Sequence, residues 1–393
     1  MSEAVQYAIC ADQLFDGAIV HEHAAALIDG QRITGLVPRR DVPKGMPVFD
    51  LPPDAWLAPG FIDIQVNGGG DTLFNDDPTP ATIRTILAAH RQFGTTAILP
   101  TLISDTEEKM RRAAEAVREV LPSEPGVLGI HYEGPFLSPE RPGVHAPKMI
   151  RTAVARDEKI LTSLGGGRTL VTLAPECVPV GFIASLCAQG VRVSLGHSMA
   201  TYDQTRAAMA EGLTGFTHLF NAMRPLSARE PGPIAAALES NDGSYSLIVD
   251  GVHVAPAMLR LALRGKGAPI LITDAMPPVG GSKSGFTLYG NEIDVANGRC
   301  TRRDGTLAGA ILDMATAVRN CVELLGVPLP AALAFASAAP ADFLGLGHHL
   351  GRIAAGYRAD LVAFHPRKIE ILETWVAGRS SRAEHDYAVR GSA

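Results

Sequence analysis

Four short apolar runs in this chain each lead to a polar side chain of a type that binds metal ions or transfers protons. These polar residues are Glu133 after residues 127–130, His197 after residues 191–195, His218 after residues 215–217 and Asp274 after residues 270–273. In a barrel of parallel strands, side chains at the carboxyl ends of the strands point into one shared mouth. The pattern therefore predicts a barrel whose site collects one side chain from each of several strand ends.

The middle of the chain alternates short apolar segments with amphipathic helical patterns. The clearest helical pattern begins at Pro80, places Ile83 and Ile86 on one face and stops at Gly94. Eight segments have the composition of strands: residues 61–66, 96–99, 127–131, 170–173, 191–195, 215–217, 245–249 and 270–273. Eight β/α units in roughly 290 residues fit a TIM (β/α)8 barrel with insertions. We therefore predict an α/β barrel for residues 57–345.

Both ends of the chain have a different pattern, with short β-like pieces separated by Asp-Gly and Gly turn signals. Two β-rich ends that flank an α/β middle indicate one small sheet domain assembled from both termini. We predict a β-sandwich-like domain made of residues 1–56 and 346–393. A further β segment near residues 286–307 is predicted as an insertion in the barrel.

Composition restricts the class of protein and its partners. The chain has 393 residues, 46% of them hydrophobic, and can bury a large core. Its formal net charge of −6 argues against nucleic acid or an anionic membrane as a partner. Five cysteines without CxxC spacing fit reduced thiols. The first residues lack the pattern of a secretory signal, and prolines interrupt the longest uncharged tract, so we expect a cytoplasmic protein.

Glu133, His197 and His218 supply the carboxylate oxygen and imidazole nitrogens that zinc and related ions bind. A histidine taken alone is more often a hydrogen-bonded core or loop residue, but three such residues at equivalent strand ends favour a metal site. Asp274 is expected to act as general base and then as general acid. The alternative for Asp274 is that it caps a helical turn beginning at Ala275.

The first predicted barrel strand resembles the opening strand of the amidohydrolase superfamily. Residues 57–67 read Leu-Ala-Pro-Gly-Phe-Ile-Asp-Ile-Gln-Val-Asn, and in that superfamily Pro-Gly-Phe-Ile-Asp is usually followed by His-x-His. This chain has Gln65 and Asn67 in place of the two histidines. Because amides bind transition metals more weakly than imidazole does, we expect one divalent ion per subunit, with Gln65 and Asn67 near it. Zinc is the expected metal, and iron and manganese are the alternatives.

Further motifs resemble one branch of that superfamily, the N-acetylglucosamine-6-phosphate deacetylases. They are His-Tyr-Glu-Gly-Pro-Phe at 131–136, Gly-His-Ser at 196–198, Thr-His-Leu-Phe-Asn-Ala-Met at 217–223, Asp-Gly-Val-His at 250–253 and Thr-Asp-Ala-Met at 273–276. The resemblance covers residues 57–345. It implies hydrolysis of the N-acetyl group of N-acetylglucosamine 6-phosphate, which yields glucosamine 6-phosphate and acetate.

The resemblance also implies a role for each matching residue. Glu133, His197 and His218 match the metal ligands of these deacetylases and Asp274 matches their catalytic aspartate. The remaining matches are His145 with a histidine that polarises the acetyl carbonyl, Asn221 and Ala222 with contacts to the sugar, Leu307 with a wall of the acyl pocket, and Arg229 and His253 with phosphate and sugar contacts from the neighbouring subunit. A homodimer is therefore implied, in which Arg229 and His253 reach the neighbouring active site.

Each of these substrate residues has a structural alternative. Arg229 can pair with a surface acid such as Glu230, His253 can cap a loop, and Asn221 is a common turn residue. His145 lies in a proline-rich segment, residues 139–147, that has the composition of a mobile lid.

Three other functions were compared with this interpretation. Dihydroorotases and hydantoinases typically carry the His-x-His pair and a lysine on strand four, whereas strand four here runs into Ala174-Pro175-Glu176. A deacetylase of the galactosamine 6-phosphate epimer, or of another acylamino sugar phosphate, stays open because one inverted hydroxyl changes few contacts. A non-catalytic barrel scaffold is disfavoured because the chain keeps all three ligands and Asp274.

Overall fold

The computed structural model describes residues 6–381. The strands in this range, in chain order, are β1 (Gln6–Phe15), β2 (Val20–Asp29), β3 (Arg32–Pro38), β4 (Val48–Asp50), β5 (Trp56–Pro59), β6 (Phe61–Val66), β7 (Gly68–Gly69), β8 (Thr72–Leu73), β9 (Thr95–Ile103), β10 (Gly129–Glu133), β11 (Arg168–Leu173), β12 (Arg192–Leu195), β13 (Gly215–Phe216), β14 (Ser244–Leu247), β15 (Ala268–Leu271), β16 (Gly285–Leu288), β17 (Asn291–Ala296), β18 (Arg299–Thr301), β19 (Leu307–Ala310), β20 (Leu361–His365), β21 (Glu370–Val376) and β22 (Arg379–Ser380).

The α-helices in the same range lie mainly between the barrel strands and after them. They are α1 (Pro80–Arg91), α2 (Glu107–Val120), α3 (Ala155–Leu161), α4 (Phe182–Ala188), α5 (Tyr202–Ala210), α6 (Gly232–Glu239), α7 (Pro256–Ala262), α8 (Met314–Leu325), α9 (Leu329–Ala336) and α10 (Ala338–Phe343). Single 3-10 turns occur at Arg39–Asp41, Pro147–Met149 and Pro175–Cys177.

The predicted barrel is confirmed. Its sheet has the strand order β15-β14-β13-β12-β11-β10-β9-β6, all parallel neighbours along the path, and each of the eight predicted segments overlaps one of these strands. A parallel bridge between Val66 and Ala275 joins the two ends of the sheet. The closure brings the carboxyl end of β6 next to the segment that follows β15, so the first and last strands contribute to the same mouth.

The helix α1 forms where the apolar periodicity predicts it. Pro80 occupies the first turn, where its missing N–H is not needed. Ile83 and Ile86 are fully buried on one face, and Gly94 follows the helix with a φ of +84°, a conformation that favours glycine. The predicted helix is therefore confirmed, and it ends at Arg91, three residues before the glycine.

The terminal strands form one eight-stranded sheet in the order β22-β21-β20-β5-β1-β2-β3, with β4 paired to β1. Along β1 the side chains alternate between two apolar clusters, with Tyr7 and Ile9 in one and Ala8 and Cys10 in the other. The expected sheet from both termini is therefore present as a single hydrogen-bonded sheet. Residues 1–5 and 382–393, which the prediction included in this domain, lie outside the described residues.

The chain forms two compact units. One contains residues 63–89 and 98–313, and the other contains the described residues up to Ile62, residues 90–97 and the described residues from Met314 on. The helices α8, α9 and α10 thus belong to the unit of the terminal sheet. We propose domain boundaries at residues 57 and 345, which assign to the barrel domain the helices that follow its last strand and the insertion.

The segment after β15 forms the predicted β insertion. The strands β16, β17, β18 and β19 make an antiparallel sheet between Gly285 and Ala310. Leu288 and Ile293 from this sheet are buried in one apolar cluster with Ile103 and Met276 of the barrel unit. The insertion therefore has its own core contacts beside the mouth of the barrel. No helix in residues 6–381 is both long enough and apolar enough to cross a bilayer.

His131 lies inside the barrel beneath the strand ends. Its Nε2 is 2.7 Å from the hydroxyl of Thr172 and its Nδ1 is 3.3 Å from the hydroxyl of Thr101. Burial lowers the pKa of His131 to about 4, because the interior disfavours the charged imidazolium. The folded chain therefore keeps this histidine neutral at a pH where the unfolded chain protonates it.

This shift predicts a pH dependence of stability. The pKa is lower in the folded state, so the contribution is complete above the ordinary pKa of 6.5 and is lost as the pH falls toward about 4. In a His131→Gln variant this loss is absent. We expect the difference in unfolding free energy between wild type and variant to shrink by up to about 3 kcal/mol between pH 7 and pH 4. Denaturant unfolding at the two pH values measures it, and a constant difference would contradict it.

Candidate active site

Three side chains from different strand ends converge in the mouth of the barrel. Glu133 is the last residue of β10, His197 lies two residues after β12, and His218 lies two residues after β13. Oε1 of Glu133 is 3.1 Å from Nε2 of His197 and 2.9 Å from Nε2 of His218, and the two Nε2 atoms are 3.1 Å apart. All three residues are buried. Among the described residues, this group has the arrangement of a three-ligand metal site.

The hydrogen bond that His197 makes outside this cluster indicates whether a cation fits between the three side chains. Nδ1 of His197 donates to the carbonyl oxygen of Arg141 at 2.9 Å, so in the neutral ring Nε2 carries a lone pair. That lone pair faces the carboxylate of Glu133, an arrangement that is repulsive without a cation between them. The chemistry of the three donor atoms therefore fits a divalent ion.

The charges of Glu133 and His218 are strongly coupled. Burial alone would raise the pKa of Glu133, but that pKa is held well below its usual range, and the hydrogen bond and charge of His218 are among the causes. Burial alone would lower the pKa of His218, and its hydrogen bond with Glu133 raises it instead. Both shifts favour positive charge beside Glu133, which a bound metal ion would supply.

The backbone at the strand ends is strained. His197, His218 and Asp274 have φ values of 49°, 34° and 50°. A residue with a side chain in the left-handed region costs roughly 1–3 kcal/mol, and such residues cluster where function requires a particular side-chain direction. The contacts of the folded barrel therefore offset this cost and hold the side chains of His197, His218 and Asp274 in position.

Asp274 lies beside this cluster, at the point where the barrel closes. Its Oδ1 accepts hydrogen bonds from Nδ2 of Asn67 at 2.7 Å and from Nε2 of Gln65 at 3.2 Å. The residues after Asp274 form a bridge to Val66 and not a helix, so the alternative of a helix cap is wrong. Burial, followed by the charge of Glu133, raises the pKa of Asp274 to about 6. A carboxylate with this pKa is suited to accept and return a proton near neutral pH.

His145 reaches the same cavity from the loop after β10. The backbone N–H of Ser104 donates to Nδ1 of His145 at 3.2 Å, which leaves the proton of the neutral ring on Nε2. That Nε2 is 4.0 Å from Oε2 of Glu133. Burial lowers the pKa of His145 to about 3, so the ring is neutral and presents an N–H donor to the cavity.

A cavity of about 580 Å³ opens above these residues. Its lining includes most of the residues predicted from the sequence: Asn67, Glu133, His145, His197, His218, Asn221, Ala222, His253, Asp274 and Leu307. Two predicted residues are elsewhere. Gln65 is buried and contacts Asp274 without lining the cavity, and Arg229 is exposed on a loop and does not line it.

His253 lies at the cavity of its own chain. The reason is local, because its Nδ1 is held 2.6 Å from Oδ2 of Asp250 in the loop after β14. The loop after a barrel strand faces the mouth of the same barrel. His253 therefore needs no partner subunit to contact a ligand there. Its expected contact with the active site of a neighbouring subunit stays a prediction.

One cationic residue of the cavity was not predicted. Arg141 lines it from the proline-rich segment that also carries His145. Its carbonyl oxygen accepts a hydrogen bond from Nδ1 of His197, and its Nε contacts the sulfur of Met199 at 3.1 Å. The sequence contains a signal for Arg141, because this residue lies in the proline-rich segment that is predicted to be a lid. An arginine in a lid over a barrel mouth would lie near any anionic substrate.

Comparisons with known proteins identify a family and close relatives of this chain. A model described as "Amidohydrolase family" matches residues 56–391. An N-acetylgalactosamine-6-phosphate deacetylase of Shewanella sp. (strain ANA-3) is 43% identical over 82% of this chain and 82% of its own length. An N-acetylglucosamine-6-phosphate deacetylase of Haemophilus influenzae is 34% identical over 90% of this chain and 94% of its own.

A solved structure shows the same fold over almost the whole chain. The crystal structure of N-acetylglucosamine-6-phosphate deacetylase from Pasteurella multocida superimposes with a TM-score of 0.92 at 36% identity. The superposition covers 96% of this chain and 99% of that one. The likeness therefore extends over almost the full length of both chains.

Proposed function

The chain belongs to the amidohydrolase family, and from that membership we propose that it hydrolyses the N-acetyl group of N-acetylglucosamine 6-phosphate, with acetate and glucosamine 6-phosphate as products. The observation that carries this proposal is the buried cluster of Glu133, His197 and His218 beside Asp274 in one cavity. An amide hydrolase needs an electrophile for the carbonyl oxygen and a group that moves a proton from water to nitrogen. This cavity offers both.

We propose one divalent ion per subunit, held by Glu133, His197 and His218. Such an ion supplies a Lewis acid that polarises the acetyl carbonyl and makes water a better nucleophile at neutral pH. Two nitrogen ligands and one oxygen ligand suit zinc, and iron or manganese accept the same donors. The amides of Gln65 and Asn67 both point to Asp274 and support a single ion.

His145 and Asp274 have different roles in this proposed hydrolysis. Nε2–H of His145 donates to the acetyl oxygen and stabilises the negative charge that develops there. Asp274 takes a proton from the attacking water and returns it to the nitrogen of the sugar, so that the C–N bond breaks and the amine leaves. The neutral state of His145 and the raised pKa of Asp274 suit these two roles.

The rest of the substrate is assigned to the residues around the metal site. We propose that Asn221, Ala222 and His253 contact the sugar and its phosphate, and that Leu307 borders the methyl group of the acetyl. We also propose a homodimer, in which the exposed Arg229 of one subunit contacts the phosphate bound in the other. A cytoplasmic location fits this substrate, because a charged sugar phosphate does not cross a bilayer unaided.

A second candidate substrate is the galacto epimer, N-acetylgalactosamine 6-phosphate. The observation that favours it is the 43% identity with the Shewanella relative, which carries that name. The identity with the Haemophilus influenzae relative, named for the gluco substrate, is 34%. The chemistry at the acetamide is the same for both sugars.

Acetate release tests the proposal. The purified chain is stripped of metal, reloaded with zinc, iron or manganese, and assayed with both N-acetylhexosamine 6-phosphates and with their unphosphorylated forms. We expect release that depends on metal and on the phosphate. The ratio of kcat/KM for the two epimers assigns the natural substrate. If neither phosphorylated sugar releases acetate with any of these metals, the proposed function is excluded.

A further inference from the structure

The side chain of Asn67 carries a polar atom for which the fold provides no partner. Asn67 is 1% exposed, and its Oδ1 is buried without a hydrogen bond to any described residue. Buried polar atoms are almost always paired, so an orphan of this kind requires an explanation. Asn67 also lines the cavity, and this location makes a bound ligand the natural partner.

The orientation of this amide is fixed by its neighbour. Nδ2 of Asn67 lies 2.7 Å from Oδ1 of Asp274, and a carboxylate oxygen can only accept a hydrogen bond. The atom that faces Asp274 is therefore the NH2 group, and the orphan is the carbonyl oxygen. The cavity thus contains a buried hydrogen-bond acceptor whose direction does not depend on an arbitrary choice between oxygen and nitrogen.

The contact between Asn67 and Asp274 also places Oδ1 of Asn67 near the substrate nitrogen that would receive a proton from Asp274. Oδ1 of Asp274 is occupied by the amides of Asn67 and Gln65, which leaves Oδ2 for proton transfer. A nitrogen that receives a proton from Asp274 lies next to that carboxylate. The carbonyl of Asn67 is attached to the same carbon as the NH2 group that touches Asp274, so it borders the same space.

We propose that Oδ1 of Asn67 accepts a hydrogen bond from the N–H of the substrate amide, and that this contact is kept as the nitrogen becomes an amine. The proposal rests on the function proposed above and adds a specificity element to it. Asn67 recognises a secondary amide over an ester, because an ester has no N–H at this position and leaves the buried carbonyl unpaired. A sugar hydroxyl and a second cation are the two other possible partners, and the experiment separates them.

A comparison of amide and ester substrates tests the proposal. The probes are the N-acetylhexosamine 6-phosphate that the enzyme accepts and the corresponding hexose 6-phosphate with a 2-O-acetyl group. The variants are Asn67→Ala and Asn67→Ser. The second is included in case the first does not fold. The matched control is Gln65→Ala, which also removes a donor from Oδ1 of Asp274 but leaves the carbonyl of Asn67 in place.

We expect both Asn67 variants to lower kcat/KM for the amide on the order of 10- to 100-fold more than for the ester. In Gln65→Ala the loss on the two substrates should be closer to equal, because that change affects only the orientation of Asp274. The ratio of amide to ester activity is the readout, since a merely structural defect lowers both activities together.

Three outcomes overturn the inference. Equal losses on amide and ester in the Asn67 variants indicate a sugar hydroxyl or a structural role. An amide-specific loss of the same size in Gln65→Ala assigns the effect to Asp274. A loss of bound metal in Asn67→Ala, measured by elemental analysis, makes the carbonyl a metal ligand. In each case, activity of the wild-type enzyme on the N-acetyl substrate leaves the proposed function intact. If the wild-type enzyme has no activity on that substrate, both proposals are excluded.

Discussion

Replacing Asp274 by asparagine is expected to lower turnover on the order of 1,000-fold or more, while the chain keeps its metal. The substitution preserves the shape of the side chain, and its carbonyl oxygen can still accept the hydrogen bonds from Asn67 and Gln65. What it removes is the ability to accept a proton from water and return it to nitrogen. The barrel, the cavity and the three proposed metal ligands do not depend on that ability.

Steady-state kinetics and elemental analysis of the same preparation measure the two halves of this prediction. KM should change little, because Asp274 acts in the transition state and not in binding of the sugar phosphate. In the wild type, kcat should rise with pH through the raised pKa of Asp274, since only the ionised carboxylate accepts a proton. Turnover of Asp274→Asn within tenfold of wild type would remove Asp274 from the mechanism.

The barrel could be predicted because its strands are short and largely apolar and alternate with helical patterns. A parallel strand buried on both faces reads as a continuous apolar run, and every residue of β6 and of β9 is buried. The polar residue that follows such a run is then placed at the mouth by the architecture alone. For this reason the sequence alone singles out Glu133, His197, His218 and Asp274, although β13 is only two residues long.

The contacts that tune these residues could not be predicted from local patterns. The bond between Asn67 and Asp274 joins positions 207 residues apart, and it exists only because the barrel closes. The proton positions on His145 and His197 depend on Ser104 and on the carbonyl of Arg141, which lie on other elements. The position of His253 at the cavity of its own chain depends in the same way on the loop after β14, where Asp250 holds its Nδ1.

Replacing His218 by alanine is expected to remove the stoichiometric metal and to lower activity by more than 1,000-fold, since two ligands are too few for a stable site. Affinity should fall by at least about 100-fold, the upper range for loss of a residue that only supports a ligand. The change also leaves Glu133 buried with one fewer partner, so some loss of stability is expected.

His131→Gln is the control that separates this loss of ligand from general damage to the barrel. His131 is as deeply buried as His218 and belongs to the same strand as Glu133, but its nitrogens contact the hydroxyls of Thr101 and Thr172 beneath the metal site. Both variants lose a buried imidazole, and only His218→Ala loses a donor atom of the cluster. Elemental analysis should therefore find one metal per chain in His131→Gln and far less in His218→Ala. One metal per chain in both variants would exclude His218 as a ligand, and with it the interpretation of the three convergent side chains as a metal site.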